Sequence, residues 1–261
     1  MMKNITNPVS DEKISRLILK SYFEDLYDAV SSDVIIAGAG PSGLYCAILL
    51  AKSGFKVTVL DKKLSPGGGI WGGAMSFNRV ILQKDVEEIL KELEIPYKEE
   101  ENALIVSSIS FASNLIAKAT SFGNIKFFNL ISVVDLYYID EKISGVVVNN
   151  SAIELQKLHV DPMVLVSKAV LDATGHDAVL VNLYNKRTKV DMVNEFFMNA
   201  EKGEEDVINN TKMIAPGLFV AGMAANNVYG GHRMGPIFGG MLLSGKKAAK
   251  LISDYLNTHE K

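Results

Sequence analysis

The chain has 261 residues, of which 48% are hydrophobic and 22% are charged, and its formal net charge is −3. This length accommodates one large domain, and the slightly acidic balance argues against a nucleic-acid-binding protein. No apolar run approaches the length of a membrane span, and the first residues lack a basic and apolar leader pattern, so we expect a cytoplasmic protein. The single cysteine, Cys46, excludes an internal disulfide and a thiolate metal cluster.

The first predicted element is an amphipathic helix over Ser10–Ala29. Ser10 can cap its start, and Ile14, Leu17 and Ile18 form an apolar stripe at helical spacing. Because this helix precedes the first strand, we expect it to pack on the outside of the domain or on another subunit.

A glycine turn between a strand and a helix organises the chain. An apolar run at Val34–Ile36 precedes Gly38, Gly40 and Gly43, and a helix over Leu44–Ser53 follows. This spacing matches the G-x-G-x-x-G fingerprint of dinucleotide binding. The first glycine permits a tight turn, the second lets the backbone approach a diphosphate, and the third lets the helix pack on the strand. The helix N-terminus would attract the phosphates.

The segment after this helix carries further nucleotide-binding signals. A second strand, Lys56–Leu60, ends at Asp61, the acidic residue that the fingerprint expects at the ribose hydroxyls. Residues 62–73 follow, with five glycines among the last seven and the only tryptophan, Trp71. This composition excludes a regular helix or strand, and we expect a loop whose backbone closes over a ligand.

The middle of the chain alternates between helical and strand-like patterns. Helical spacing predicts helices over Gln83–Leu93 and Ser107–Phe122. Three strand-like runs follow, at Ile125–Phe128, Ser132–Ile139 and Ile143–Val148. They predict an antiparallel β element over about 125–150, inserted into a parallel α/β pattern.

Two more strands in the last third end in glycine turns. Apolar runs at Met163–Val166 and Ala169–Asp172 lead to Ala173-Thr174-Gly175-His176. Gly217–Gly222 gives the other strand and turn.

The remaining segments complete a single-domain prediction. Residues 199–212 are polar and are predicted to form a surface loop, and residues 226–240 form a second, glycine-rich loop. A helix over Met241–Leu256 follows. We therefore predict one doubly wound α/β domain over residues 1–261, a dinucleotide-binding fold with an inserted antiparallel β element.

The three glycine turns resemble those of the large family of flavoproteins with two dinucleotide-binding motifs. In most of those proteins an aspartate follows the last turn and holds the flavin side chain, whereas Met223 follows Gly222 here. An FAD-dependent oxidoreductase is therefore an alternative that Met223 disfavours.

Longer motifs resemble one narrower family, the thiamine thiazole synthases in their archaeal form. The resemblance covers nearly the whole chain after residue 10, and its motifs span residues 67–73, 159–162, 172–177 and 228–241. It implies an enzyme that builds an adenylated thiazole carboxylate from NAD, consumed as a substrate, and from glycine, with a sulfur donor and Fe(II). It also implies rings of eight subunits with active sites shared between neighbours.

The resemblance assigns roles to individual residues. Those implied to contact the nucleotide within one subunit are Gly38, Gly40, Ser42, Gly43, Asp61, Lys62, Gly69, Val133 and Met223. The segment His159, Val160 and Asp161 is implied to reach the nucleotide of a neighbouring subunit. Arg233 is implied to bind the glycine carboxylate. Asp161 and His176 are implied to be the iron ligands and, with His159, to carry the catalysis.

Elementary chemistry is compatible with these roles. An arginine grips a carboxylate through two parallel hydrogen bonds. One Asp and one His suit Fe(II) and leave positions for substrate. From the residues alone, His176 would be interpreted as a structural histidine near a strand end, and Asp161 before Pro162 as part of a turn. Only the resemblance favours metal ligation.

The sulfur source is the informative departure from part of the family. Many eukaryotic members sacrifice the sulfur of a cysteine in the segment that aligns with residues 158–162, where this chain has His159. Cys46 belongs to another element and is expected to be a small buried residue. The resemblance therefore implies external sulfide and repeated turnover.

Two further interpretations are open. A sugar-phosphate isomerase of the ribose-1,5-bisphosphate type would share the aldose–ketose chemistry that opening the NAD ribose requires. A non-catalytic NAD sensor would need neither the iron pair nor Arg233.

Overall fold

The computed structural model describes residues 7–73 and 75–259, so both ends of the predicted 1–261 domain lie outside the described residues. The helices are Asp11–Ala29 (α1), Pro41–Lys52 (α2), Glu87–Glu92 (α3), Ser108–Thr120 (α4), Ser151–Leu155 (α5), Val179–Asn185 (α6), Ala200–Asn210 (α7), Met223–Tyr229 (α8) and Gly239–His259 (α9). The strands are Ser31–Ala37 (β1), Val57–Asp61 (β2), Arg79–Gln83 (β3), Tyr97–Glu100 (β4), Ala103–Ser107 (β5), Ile125–Asn129 (β6), Ile131–Ile139 (β7), Lys142–Asn150 (β8), Met163–Asp172 (β9), Phe196–Met198 (β10), Lys212–Ala215 (β11), Leu218–Val220 (β12) and His232–Arg233 (β13).

A mostly parallel sheet forms the centre of the molecule, in the strand order β11-β12-β9-β1-β2-β6. Strand β1 pairs in parallel with β2 on one side and with β9 on the other. Its side chains alternate between two buried clusters: Val34 and Ile36 pack in the cluster that includes α2, whereas Ile35 and Ala37 pack in the cluster on the other face. Both faces of the sheet are therefore covered, and the doubly wound α/β prediction is confirmed.

The antiparallel insertion is smaller than the sequence predicted. Strands β7 and β8 form an antiparallel hairpin, and β8 pairs with residues 163–166 in the first half of β9. The predicted first strand of the insertion, Ile125–Phe128, is wrong as an antiparallel element because β6 extends the central sheet in parallel with β2. The second half of β9 pairs with β12, so one long strand serves both the hairpin and the central sheet.

A separate three-stranded antiparallel sheet, β3-β5-β4, was not predicted. Strand β4 exposes most of its polar residues at a sheet edge, so it carries no apolar alternation to reveal it. The predicted helix over Gln83–Leu93 is confirmed in part, as a 3₁₀ turn at Lys84–Val86 followed by α3. Helix α4 is confirmed, with Ser107 as its N-cap.

The prediction of a surface loop over residues 199–212 is wrong. Helix α7 occupies this segment, and its buried residues are Gly203, Glu204 and Val207. Of these three, only Val207 has an apolar side chain. The sequence of the buried face therefore shows no hydrophobic stripe at helical spacing. A Cβ on Gly203 would lie 2.9 Å from the His232 carbonyl oxygen, which explains why the helix can pack so closely. Helix α8 likewise occupies the start of the predicted loop at 226–240.

The N-terminal helix is confirmed, but its apolar stripe is not buried. Ser10 caps α1 by accepting a hydrogen bond from the Lys13 amide at 3.4 Å. Ile14, Leu17 and Ile18 are 42%, 53% and 63% exposed. Among the described residues, no helix combines the length and apolar character needed to cross a membrane.

Candidate active site

A cavity of about 630 Å³ opens at the carboxyl ends of the parallel strands. Ala37 ends β1, Asp61 ends β2, Ala173 follows β9 and Gly222 follows β12, and all four residues line it. This edge is where open α/β sheets bind ligands, and the volume is that of a typical cofactor site. The predicted residues that line it are Gly38, Gly40, Ser42, Asp61, Lys62, Gly69, Val133, His176, Met223 and Arg233.

Two glycines of the turn, Gly43 and Gly40, differ in why glycine stands there. A Cβ on Gly43 would lie 2.1 Å from the Gly38 carbonyl oxygen, so the close contact between α2 and the turn demands glycine. Gly40 differs, because its φ of −81° is ordinary and a Cβ there would meet nothing within 4 Å. Gly40 lines the cavity. Nothing in the protein requires glycine at this position, which leaves the space for a ligand.

Two side chains that were predicted to contact a nucleotide, Ser42 and Asp61, already form hydrogen bonds within the protein. Ser42 Oγ donates to the Met241 carbonyl at 2.8 Å and so ties the start of α2 to the start of α9. Its backbone N–H, at the N-terminus of α2, is the group it can offer to a phosphate. Asp61 Oδ2 accepts from the Ala39 amide at 2.9 Å, and Oδ1 accepts from the Lys63 amide at 2.8 Å. Each carboxylate oxygen keeps a lone pair for a ribose hydroxyl.

The glycine-rich loop at 62–73 packs directly on the turn that contains Gly38, Gly40 and Gly43. Its Gly67 amide donates to the Ala39 carbonyl at 2.7 Å, and a Cβ on Gly68 would lie 2.9 Å from Gly40 Cα. Trp71 Nε1 donates to the Pro66 carbonyl at 2.7 Å, which closes the loop on itself through a 3₁₀ turn. This geometry is compatible with the expected ligand-covering loop.

Helix α9 begins beside the cavity and is held there by a buried acid. Glu204 Oε2 accepts from the Gly240 amide at 2.6 Å and from Gln83 Nε2. Burial raises the pKa of this carboxyl above its usual value, and the two hydrogen bonds oppose the shift. Three elements, α7, β3 and α9, are joined at this point.

A buried aspartate fixes the turn that carries His176. Asp172 is fully buried and accepts four hydrogen bonds: from the amides of Thr174, Leu180 and Val181 and from the Thr174 hydroxyl, at 2.7–3.0 Å. Burial raises the pKa of Asp172, and these hydrogen bonds oppose the rise. The side chain of Asn227 also donates to the His176 carbonyl at 2.7 Å. The backbone around His176 is therefore fixed on both sides.

Glu195 joins two side chains that line the cavity, those of His176 and Arg233. His176 Nδ1 and Glu195 Oε1 are 2.5 Å apart, and Arg233 Nε lies 3.5 Å from Glu195 Oε2. The side chain of Glu195 is only 12% exposed, whereas those of His176 and Arg233 are 54% and 59% exposed. One carboxylate thus contacts an imidazole and a guanidinium that both line the cavity.

Strand pairing brings Glu195 to this position. It directly precedes β10, which pairs in parallel with β13, so that Phe196 lies opposite His232 and Met198 opposite Arg233. His232 itself is held by Asp206, whose Oδ2 lies 2.8 Å from His232 Nδ1 and accepts from the His232 amide at 2.9 Å. Nothing in the sequence near Glu195 marked it as functional, because its partners are 19 and 38 residues away.

The segment His159–Asp161 lies apart from this cavity. All three residues are exposed, Val160 by 48%, and none lines the cavity of the same chain. The structure thus places His176 at the cavity and Asp161 outside it. In the described part of the chain, no three His, Cys, Asp and Glu side chains come together as a group that could hold a metal ion.

The other predicted residues have simple locations. Val133 on β7 is 8% exposed and Met223 at the start of α8 is 4% exposed, and both line the cavity. Lys62 Nζ pairs with Asp177 Oδ2 at 3.0 Å, and both residues line the cavity. Cys46 is fully buried in the core, as predicted, and burial raises the pKa of its thiol.

Comparison with known proteins settles the family. The Thi4 family matches residues 15–238 of the chain. The chain belongs to the Thi4 family. A curated thiamine thiazole synthase from Thermotoga maritima is 49% identical over 94% of this chain and 98% of its own length. One from Pyrococcus abyssi is 47% identical over 94% of this chain and 97% of its own length.

Solved structures agree with this assignment. The crystal structure of Thermovibrio ammonificans THI4 matches with a TM-score of 0.92 and 39% identity, covering 96% of this chain and all of that one. A geranylgeranyl bacteriochlorophyll reductase-like protein from Thermoplasma acidophilum matches with a TM-score of 0.55 and 14% identity, covering 88% of this chain and 80% of that one. At that identity, the second match supports the dinucleotide-binding type of fold alone.

Proposed function

We propose that this Thi4 family member makes the adenylated thiazole carboxylate of thiamine biosynthesis from NAD, glycine and external sulfide, with Fe(II), over many turnovers. The observation that supports this most directly is one cavity lined both by the glycine turn and by His176 and Arg233, two side chains that Glu195 joins from behind. A nucleotide held at one end would present its ribose toward the other end, where a carboxylate-binding group is available.

The nucleotide end would hold NAD by backbone groups. The free amides at the start of α2 and the positive end of that helix would bind the diphosphate, in the space that Gly40 leaves open. Asp61 would accept hydrogen bonds from ribose hydroxyls with the lone pairs it does not use within the protein. The loop at 62–73 would cover the nucleotide from the opposite side.

The other end would bind glycine. The ion pair with Glu195 involves Nε of Arg233, so the two terminal Nη groups can grip a carboxylate through parallel hydrogen bonds. Glycine would be oriented with its amine toward the ribose carbon chain of NAD.

We propose that a metal ion binds at this end, with His176 as one of its protein ligands. The ring of His176 already contacts a carboxylate through Nδ1, the arrangement usual for metal-binding histidines. We propose that Asp161 from a neighbouring subunit is the second protein ligand, since it does not line the cavity of its own chain. A divalent iron there would supply Lewis-acid stabilisation of negative charge on the substrates.

Sulfur would come from outside the chain. An imidazole at position 159 has no sulfur to transfer, and Cys46 is fully buried and does not line the cavity. Burial also raises the pKa of its thiol, which disfavours the nucleophilic thiolate. These observations support free sulfide or a sulfur carrier as the donor.

Assembly into a homo-octamer, with sites shared between adjacent subunits, is part of this proposal. The exposed apolar side chains of α1 offer a surface for subunit contact, since large apolar patches on a monomer mark interaction sites. The exposed segment His159–Asp161 would then complete the cavity of the next subunit.

The test is anaerobic reconstitution. Purified protein is given NAD, glycine, Fe(II) and sulfide, and the small molecules are analysed by mass spectrometry, with each component omitted in turn. We expect an adenylated thiazole carboxylate only in the complete mixture. Stoichiometric FAD in the denatured supernatant, with no thiazole product, would contradict the proposal and favour an FAD-dependent oxidoreductase.

A further inference from the structure

We infer that Glu195 is a positioning residue that fixes His176 as the tautomer with a proton on Nδ1, so that Nε2 is the ring nitrogen left to bind a ligand. The inference rests on the proposed function for the nature of that ligand. It rests on geometry alone for the tautomer.

The chemistry of the two groups gives the 2.5 Å contact a direction. A carboxylate in its ionised form can only accept, so in this inference Nδ1 of His176 donates to Glu195 Oε1. In a neutral imidazole, the other nitrogen then carries a free lone pair. His176 lines the cavity, so this lone pair belongs to a side chain at the proposed site.

The second carboxylate oxygen keeps Glu195 in place. Oε2 lies 3.5 Å from Arg233 Nε, and the side chain of Glu195 is 12% exposed. A nearly buried carboxylate between two cationic or donor groups has little freedom to turn away. The backbone on each side is also fixed: Asp172 fixes the turn before His176, and the pairing of β10 with β13 fixes the position of Glu195.

The same carboxylate therefore serves both functional side chains. One oxygen sets the tautomer of His176, and the other restrains the stem of Arg233 through Nε. Because both groups line one cavity, Glu195 would set the distance between the metal ligand and the glycine-binding group. It would not itself touch the substrate.

The first readout is the tautomer in the metal-free protein. The chain has four histidines, so selective ¹⁵N-histidine labelling gives few signals, and a His176→Gln variant assigns those of His176. Above pH ~8, where a free imidazole is neutral, we expect a protonated Nδ1 and an unprotonated Nε2 in the wild type. Glu195→Ala should convert this pattern to a mixture of the two tautomers. Glu195→Gln keeps an oxygen acceptor and should retain more of the tautomer that is protonated on Nδ1.

The second readout is Fe(II) affinity, measured by anaerobic equilibrium dialysis with the metal alone. Loss of a carboxylate behind a metal-binding histidine weakens binding by about 10- to 100-fold, and we expect this loss in Glu195→Ala. The NAD affinity of Glu195→Ala should stay close to that of the wild type. A general loss of structure would instead lower the NAD affinity as well. Glu205→Ala, at an exposed position on α7, is the matched control and should change neither readout.

The outcomes separate this inference from the proposed function. A wild-type His176 that carries its proton on Nε2, or an identical tautomer pattern in Glu195→Ala, would overturn the inference. If the wild type binds Fe(II), an unchanged Fe(II) affinity in Glu195→Ala would also overturn it. A wild type that binds no Fe(II) but shows the Nδ1–H pattern, lost in Glu195→Ala, would contradict the metal in the proposed function and support the role of Glu195. If Glu195→Ala does not fold, Glu195→Gln decides by the same criteria.

Discussion

The two ends of the cavity are built in different ways. At the nucleotide end, backbone geometry and a buried core define the site: Gly43 packs against Gly38, and Val34 and Ile36 are fully buried beneath α2. At the other end, three side chains from separate segments meet, and the two that line the cavity are more than half exposed.

This difference teaches what each end depends on. At the end proposed for the nucleotide, the fold itself requires the geometry, since a Cβ on Gly43 would lie 2.1 Å from the Gly38 carbonyl oxygen. The end with His176 and Arg233 depends on a few polar contacts, chiefly through Glu195 and Asp172, and under our proposal it is complete only when a second subunit contributes Asp161. Perturbations should therefore act on stability at the first end and on catalysis at the second.

The largest expected effect concerns the shared site. We expect Asp161→Ala and His176→Ala each to abolish thiazole formation, because each would remove one of two protein ligands. Mixing the two inactive variants under conditions of subunit exchange should restore part of the activity, since some sites would combine an intact Asp161 with an intact His176. Activity is measured as thiazole formed per chain.

The control for this experiment uses the double variant. Mixing Asp161→Ala with a chain that carries both substitutions should restore nothing. If mixed single variants also stay inactive while exchange is demonstrated by mass spectrometry, the two ligands do not come from different chains.

The next effect is on stability, at the nucleotide end. Gly43→Ala forces a Cβ to within 2.1 Å of a backbone oxygen, and we expect a loss of about 3 kcal/mol or more, because backbone cannot yield as a side chain would. For a domain of this size, that loss lowers the thermal midpoint by roughly 6–12 °C. Calorimetry measures it directly.

Gly40→Ala is the matched variant and sharpens the comparison. Its Cβ meets nothing within 4 Å, so the thermal midpoint should fall by much less, with a helix-capping cost of up to about 1 kcal/mol. Its methyl group would occupy the space proposed for the diphosphate, so NAD affinity should fall sharply. Equal stability losses in both variants would show that Gly40, too, is required by the fold.

The two ends of the cavity also differ in how well the sequence predicted them. The spacing of Gly38, Gly40 and Gly43 and the position of Asp61 were sufficient to predict the strand, turn and helix, because Gly38 adopts a positive φ and Gly43 packs against the Gly38 carbonyl oxygen. The buried, β-branched strand β1 was recognisable for a similar reason. Short-range patterns predict structures that short-range contacts determine.

The other end was predictable only through the family resemblance, and even then not fully. Glu195 was missed because its contacts join segments that are distant in sequence. Helix α7 was missed because it buries Gly203 and Glu204, which give no apolar stripe. The strand Ile125–Phe128 was placed in the wrong kind of pairing because periodicity does not distinguish a parallel from an antiparallel partner.

A smaller effect is expected at Arg233. A charged hydrogen-bonded pair contributes about 1.5–3 kcal/mol, so Arg233→Ala should weaken glycine use by roughly 10- to 150-fold. NAD binding should be retained, because the nucleotide end does not involve this side chain. Steady-state kinetics with varied glycine, together with NAD binding, measure the two effects.

Arg187→Ala is the control for this prediction. Arg187 forms a bidentate ion pair with Asp135, in which each terminal guanidinium nitrogen lies 2.8 Å from one carboxylate oxygen. It does not line the cavity. It should leave glycine use unchanged. If Arg233→Ala weakened NAD and glycine binding equally, Arg233 would be a structural residue and not a carboxylate-binding one.

The smallest effect is expected at Cys46. Cys46→Ala removes one heavy atom, the buried sulfur, from the core. The free energy of unfolding should fall by about 1 kcal/mol, and the thermal midpoint by roughly 2–4 °C. Turnover with sulfide should persist, because the thiol does not line the cavity. Loss of turnover in a folded Cys46→Ala protein would indicate that Cys46 takes part in the reaction.

The most direct test of the account is the intact mass of the protein after turnover. Anaerobic wild-type protein is incubated with NAD, glycine and Fe(II), with and without sulfide, and analysed for thiazole and for chain mass. We predict more than one thiazole per chain with sulfide, none without it, and an unchanged chain mass in both. A chain that has lost the mass of one hydrogen sulfide, with at most one thiazole formed, would contradict the account, because the sulfur would then have come from Cys46, the one cysteine of the chain.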